Sequence, residues 1–151
     1  MALFNRTKSC SVELLNETLL EVKGLFIDSF HEINLTLHVS ISNLEIVWAK
    51  AEMVRTPHPA CMEAAVEGEK LIGIKIGPGS RKAIQEAVGH SHGCTHIADL
   101  ALDTAKAAIQ ANFKLQRSDM TREQRHEMFV EKLAGTCHFW TIAAEKLENN
   151  S

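Results

Sequence analysis

Residues 33–41 alternate without a break. Ile33, Leu35, Leu37, Val39 and Ile41 point to one side, and Asn34, Thr36, His38 and Ser40 to the other. A period of two predicts a strand with one face buried. Ser42-Asn43 supplies turn chemistry, and residues 44–54 resume as a strand. Residues 19–27 predict the first strand of the same meander, with Asp28-Ser29-Phe30-His31 as its turn. The connections are too short for crossovers, so the pairing is antiparallel.

The period then changes. Thr56-Pro57-His58-Pro59 breaks the strand pattern, because each proline removes a donor and restricts its neighbour. Residues 60–68 read as a short helix. Residues 71–76 read as a short apolar stretch closed by the turn Gly77-Pro78-Gly79. Ser80 is placed to cap a helix through Val88, which Gly89 ends. A long helix runs from about Thr95 to Gln116, with Ile97, Ala101, Ala105, Ala108, Ile109 and Phe113 on its apolar face and Asn112 interrupting it. Residues 118–121 form a connector. Thr121 and Gln124 fit a capping box for a further helix to Gly135, and Thr136 is placed to cap a last one through Leu147. The polar tail 148–151 is expected to fray.

Strands first and helices second define an α+β chain: a small antiparallel β-meander of about three strands, followed by helices packed on one face. A length of 151 residues suits a single domain, 1–151, with its sheet part at about 12–56 and its helical part at about 60–147. Hydrophobic residues at 45% and charged residues at 23% exclude a disordered chain. A net charge of -3 gives no basic field for nucleic acid or anionic membranes, and the absence of Tyr argues against a base-stacking surface. The start Met-Ala-Leu-Phe-Asn-Arg lacks the apolar core of a signal peptide, and no apolar run approaches the roughly 20 residues of a spanning helix. The expectation is a cytoplasmic protein with reduced cysteines.

Cysteine and histidine carry the candidate chemistry. Cys94 follows Gly93 at a helix start, where unpaired N–H groups and the helix dipole stabilise a thiolate. His96 lies two residues on; inside a regular helix the two would diverge by about 200°, so they meet only if Cys94 is still in the turn. Cys61 follows the proline-rich turn, and Cys137 sits at another helix start beside His138. Cys61, Cys94, His96 and Cys137 would form a Cys₃His set suited to tetrahedral zinc, with an iron–sulfur cluster or transient metal as the other option. No Cys-x-x-Cys knuckle is present.

Other residues read more simply. His90 and His92 occupy a glycine-flanked loop open to metal binding or acid–base work. Asp28 and His31 are placed to form a turn pair; the alternative, more common for such an aspartate, is that it simply caps the turn. Glu63 could be an oxygen ligand or general base, but reads better as a first-turn acid; Arg81 with Lys82 at a helix start could receive an anion and lacks the pattern of a P-loop. Cys10 lies in an apparently irregular start and has no assigned role. No nucleophile elbow, dinucleotide fingerprint or His-Glu-x-x-His occurs.

Asp28 with His31, the meander, Met53 before Pro59-Ala60-Cys61, then Gly73, Gly77 and Gly93-Cys94-Thr95-His96-Ile97 together resemble the bacterial domain-of-unknown-function family 2889, over about Val22 to His138. The resemblance brings no activity with it and implies the grouping of Cys61, Cys94, His96 and Cys137. A second likeness is to U-type iron–sulfur scaffold proteins, whose Pro-Ala-Cys-Gly-Asp, Gly-Cys and His-Cys motifs compare with Pro59-Ala60-Cys61-Met62-Glu63, Gly93-Cys94 and Cys137-His138. Glu63 replaces the aspartate, and the last pair is inverted.

The leading expectation is a metal-binding protein. The rival is a cysteine-dependent enzyme on a small acyl or aromatic substrate, with Cys94 as nucleophile and His96 or His92 as base. The third is an interaction module with structural cysteines, in which the alanine-rich face of the long helix mates with a second copy in a homodimer.

Overall fold

A computed structural model describes residues 1–116 and 120–149. The strands are β1 (Arg6–Leu14), β2 (Leu19–Asp28), β3 (Glu32–Ser40) and β4 (Ile46–Arg55). They form one antiparallel sheet in the order β1-β2-β3-β4. A run of 3₁₀ turns, Pro59–Leu71, follows, then α1 (Ser80–Val88), α2 (Thr95–Leu115), α3 (Arg122–Leu133) and α4 (His138–Asn149). The α+β expectation holds, with four strands in place of three.

The additional strand is β1, which the sequence pattern hid. Its register with β2 runs unbroken from Arg6↔Asp28 to Leu14↔Leu20, so Arg6, Lys8, Cys10, Val12 and Leu14 share the inner face. Most of those residues are polar or exposed. An edge strand at the margin of the helical layer has little apolar surface to hide, so it carries no alternation signal. Cys10 is therefore a strand residue.

The chain divides into two compact units, Met1–Asn112 and Phe113–Ser151. In the first, Leu20, Val22, Phe26, Ile33, Leu35, Leu37 and Val39 of the central strands are buried on one side of the sheet. The helix α2 covers them with Ile97, Leu100, Ala101, Ala105 and Ala108. Its alanine-rich face, expected to mate with a second copy, is thus buried within its own chain. The closest approach is at Gly24 of β2, where a Cβ would lie 2.6 Å from Thr104 Cγ2 and 2.9 Å from Leu100 Cδ1. The 3₁₀ segment comes as close to β4, with Gly68 against Ala51. The chain after it pairs back on β4 through the Glu45↔Lys75 bridge. The outer face of the sheet mixes polar residues with Ile27, Trp48 and Val54, and His38 stacks on Trp48 at 4.5 Å.

In the second unit, Thr121 and Gln124 form the expected capping box at the start of α3. Phe129 packs its ring 5.7 Å from Phe113 and 5.7 Å from Trp140 of α4. Thr136 does not cap α4; its hydroxyl donates to Leu133 O and closes the helix before it. Ser118, Asp119 and the last two tail residues lie outside the described residues. Among the described residues, no helix is long and apolar enough to cross a membrane.

A methyl at position 24 must displace the buried Thr104 and Leu100 side chains through which α2 packs on the sheet. Gly24→Ala is expected to destabilise by about 1–3 kcal/mol, read as a lower urea midpoint at unchanged slope; an unchanged midpoint would show that the helix docks elsewhere.

Candidate functional site

The site begins at the β2–β3 turn. Asp28 ends β2 on the inner face and is 4% exposed. A buried carboxylate must be satisfied by donors. Oδ1 accepts the backbone N–H groups of Phe30 at 2.8 Å and His31 at 2.7 Å, and meets His31 Nδ1 at 3.0 Å. Oδ2 accepts Nη2 of Arg6 at 3.0 Å. The expected turn cap and the expected Asp28–His31 pair are both present. Arg55 closes the turn from outside, its guanidinium donating to the carbonyls of Asp28, Ser29 and His31. With Nδ1 held by Asp28, the Nε2 atom of His31 is the nitrogen left for other chemistry.

The second component arrives on α2. Gly93 passes so close to the end of α1 that a Cβ there would lie 2.1 Å from Val88 O, which only glycine permits. The N–H of Cys94 donates to that same carbonyl at 2.7 Å. Cys94 is still outside the helix, while its own carbonyl accepts the N–H of Ala98. The condition for convergence is met: Cys94 Sγ lies 3.7 Å from His96 Nδ1. The His96 ring is 5.0 Å from Phe26 and 4.2 Å from His31, centroid to centroid.

Strand register and helix docking therefore bring Asp28, His31 and His96 together. One carboxylate oxygen and one ring nitrogen from each histidine lie within 4.8 Å of one another. Among the described residues this is the group of three whose donor atoms converge enough to hold one metal ion. Burial alone would push the Asp28 carboxyl up; the donors from Phe30, His31 and Arg6 outweigh it and hold the carboxyl far below the usual carboxylate range. Burial, followed by the charges of His31 and Arg6, lowers His96 and so favours its neutral ring.

Of the four sequence candidates, three lie in the first unit. His96 belongs to it and Cys94 adjoins it. Cys94 and Cys61 line one cleft of about 500 Å³ with Met53, Glu63, Glu67 and His92. His90 Nε2 sits 3.2 Å from Glu67, which also pairs with Lys70. The N–H of His92 donates to His90 Nδ1, so the histidine loop is tied to the wall of the cleft. Cys137 is an exposed residue of the second unit, where its carbonyl accepts the N–H of Thr141 at the start of α4. All four cysteines are free thiols. Cys10 has its thiol pushed up by burial and by the charge of Asp103.

An antiparallel sheet whose end carries Asp28 and His31, met there by His96 of the covering helix, defines an α+β protein with a candidate metal centre. Its residues 4–110 match the family described as "Protein of unknown function (DUF2889)", and the chain belongs to that family. The matched span begins before β1 and includes Arg6, Asp28, His31, Cys61, Cys94 and His96; Cys137 lies beyond it. No curated protein and no solved structure matches the chain, and the likeness to U-type scaffolds has no support.

Removing the Asp28 carboxylate strands the donors that face it. Asp28→Ala is expected to cost about 2–3 kcal/mol of stability in chelator-containing buffer. Because the folded carboxyl is held low, its contribution is complete above the unfolded value of about 3.9 and is lost as pH falls through the folded value. Urea denaturation of wild type and Asp28→Asn should show their stability difference shrinking as pH falls below about 3.9 toward the folded value. A difference independent of pH would contradict the low folded value.

Proposed function

We propose that this chain binds a divalent transition-metal ion, zinc being the best match, through His31, His96 and Asp28, with Cys94 at the fourth position. The observation that carries the reading is the convergence of the three donor atoms within 4.8 Å. Relative to the grouping expected from sequence, Cys94 and His96 stay, and Asp28 and His31 stand in place of Cys61 and Cys137. The donor chemistry supports it. Imidazole nitrogen and carboxylate oxygen are ordinary zinc ligands, and a neutral His96 binds without first losing a proton. The 3.7 Å between Cys94 Sγ and His96 Nδ1 is close to the separation of about 3.5 Å that zinc–sulfur and zinc–nitrogen bonds impose on two tetrahedral ligands. An iron–sulfur cluster wants a set of thiolates, and the convergent group offers nitrogen and oxygen instead.

The test is titration of the full chain with zinc(II) and cobalt(II), followed by dialysis and metal analysis. A single tightly held ion per chain is expected. His31→Ala or His96→Ala should weaken it at least about a hundredfold. With cobalt, a sulfur-to-metal absorption band lost in Cys94→Ser would place the thiolate in the coordination sphere. Binding that ignores both histidine substitutions would overturn the reading.

The same 3.7 Å contact favours one other reading, in which Cys94 is a nucleophile and His96 its base, open to the cleft it shares with Cys61. Alkylation separates the two. Saturating zinc should protect Cys94 from iodoacetamide if the thiolate is a ligand. Fast labelling of Cys94 alone, unchanged by zinc, would support the nucleophile.

A further inference from the structure

The ligating carboxylate is already occupied by a cation. Asp28 Oδ1 has three donors from the turn that carries His31, all part of the local backbone geometry. Oδ2 has the Arg6 guanidinium, which reaches it from the neighbouring strand. A carboxylate oxygen already holding three donors is a poor metal ligand, so Oδ2 is the atom a metal would take. The Asp28 side chain is 1% exposed, whereas that of Arg6 is 40% exposed. The arginine is the partner able to leave. Its guanidinium carbon also lies 4.8 Å from the Phe26 ring and 5.1 Å from the Phe4 ring, so cation–π faces remain available to it away from the oxygen.

Resting on the metal-binding reading, we propose that Arg6 is the gatekeeper of the site: its guanidinium holds Asp28 Oδ2 in the metal-free protein, competes with the incoming ion, and makes the centre an exchangeable one for divalent transition metals. Two effects act in the same direction. The ion must displace a charge-assisted hydrogen bond, and it must settle beside a fixed positive charge. Arg55 adds a second cation at the turn. A permanent structural centre would not place an arginine on its own ligand. An arginine does suit a site that empties and refills, because the buried carboxylate keeps a partner when the ion is gone.

The experiment is competition of the full chain against a chromophoric chelator for zinc(II), comparing wild type, Arg6→Met and Arg6→Lys. Arg6→Met is expected to bind about tenfold tighter and to release zinc more slowly, and Arg6→Lys, which keeps the charge, to stay near wild type. Equal or weaker binding by a folded Arg6→Met, judged by circular dichroism, would overturn the gatekeeper. A second measurement needs no variant. The side-chain ¹⁵N signal of Arg6 should shift as zinc saturates the wild-type protein, and a signal unmoved at saturation would equally overturn it. The two levels fail differently. Saturable, histidine-dependent zinc binding with no Arg6 effect removes the gatekeeper alone. Absence of zinc binding, or binding indifferent to His31 and His96, removes the metal reading and the gatekeeper with it.

Discussion

A buried carboxylate has to be answered, and in this protein Asp28 is answered from three directions. The turn supplies two backbone donors, His31 supplies its ring, and β1 supplies Arg6. Those contacts close the β2–β3 hairpin and fix the tautomer and orientation of His31. They also tie the edge strand to its neighbour at the end where α2 begins. The outer layer of the first unit is arranged around this point. Gly24 lets α2 lie flat on the sheet, and only a flat helix brings His96 to the ring of Phe26 and the edge of His31.

The polar group and the apolar core therefore depend on each other. Leu100 and Ala101 are buried on the same helix that delivers His96. The docking of that helix also sets where His96 stands relative to Asp28 and His31. Gly93 serves the same geometry from the other side. It lets the chain turn tightly against the end of α1, so that Cys94 remains outside the helix and faces His96 instead of diverging from it.

Much of this was legible in the sequence, for physical reasons that differ by element. The strands β2, β3 and β4 announce themselves because one face of each is apolar and the other polar. The helices announce themselves through capping residues and glycine stops, as at Thr121, Gln124 and Gly89. The strand β1 was hidden because its inner positions include Arg6, Lys8 and Cys10, which have no core to enter. The site was half legible. Asp28 with His31 and Cys94 with His96 each stood out as local pairs, but which pairs meet is decided by strand register and helix docking. The pull toward a cysteine grouping came from a shared position at turns and helix starts. Cys61 and Cys94 do share a cleft, while Cys137 belongs to the other compact unit and lies past the matched family span. The best available clue was the order of elements: a meander followed by a covering helix puts the end of β2 and the start of that helix at the same margin.

The residues around Asp28 come from distant parts of the chain. Arg6 and Asp28 are 22 positions apart, and Cys94 with His96 come much later, after the whole sheet and α1. During synthesis the sheet can pair and the turn can close while α2 is still inside the ribosome. The carboxylate then has its arginine before it has its second histidine. A growing chain thus holds only a partial set of donors, already neutralised by Arg6, until α2 emerges and docks. Under the proposed metal-binding reading, the order in which the polypeptide is made disfavours premature capture of a stray ion by the nascent sheet.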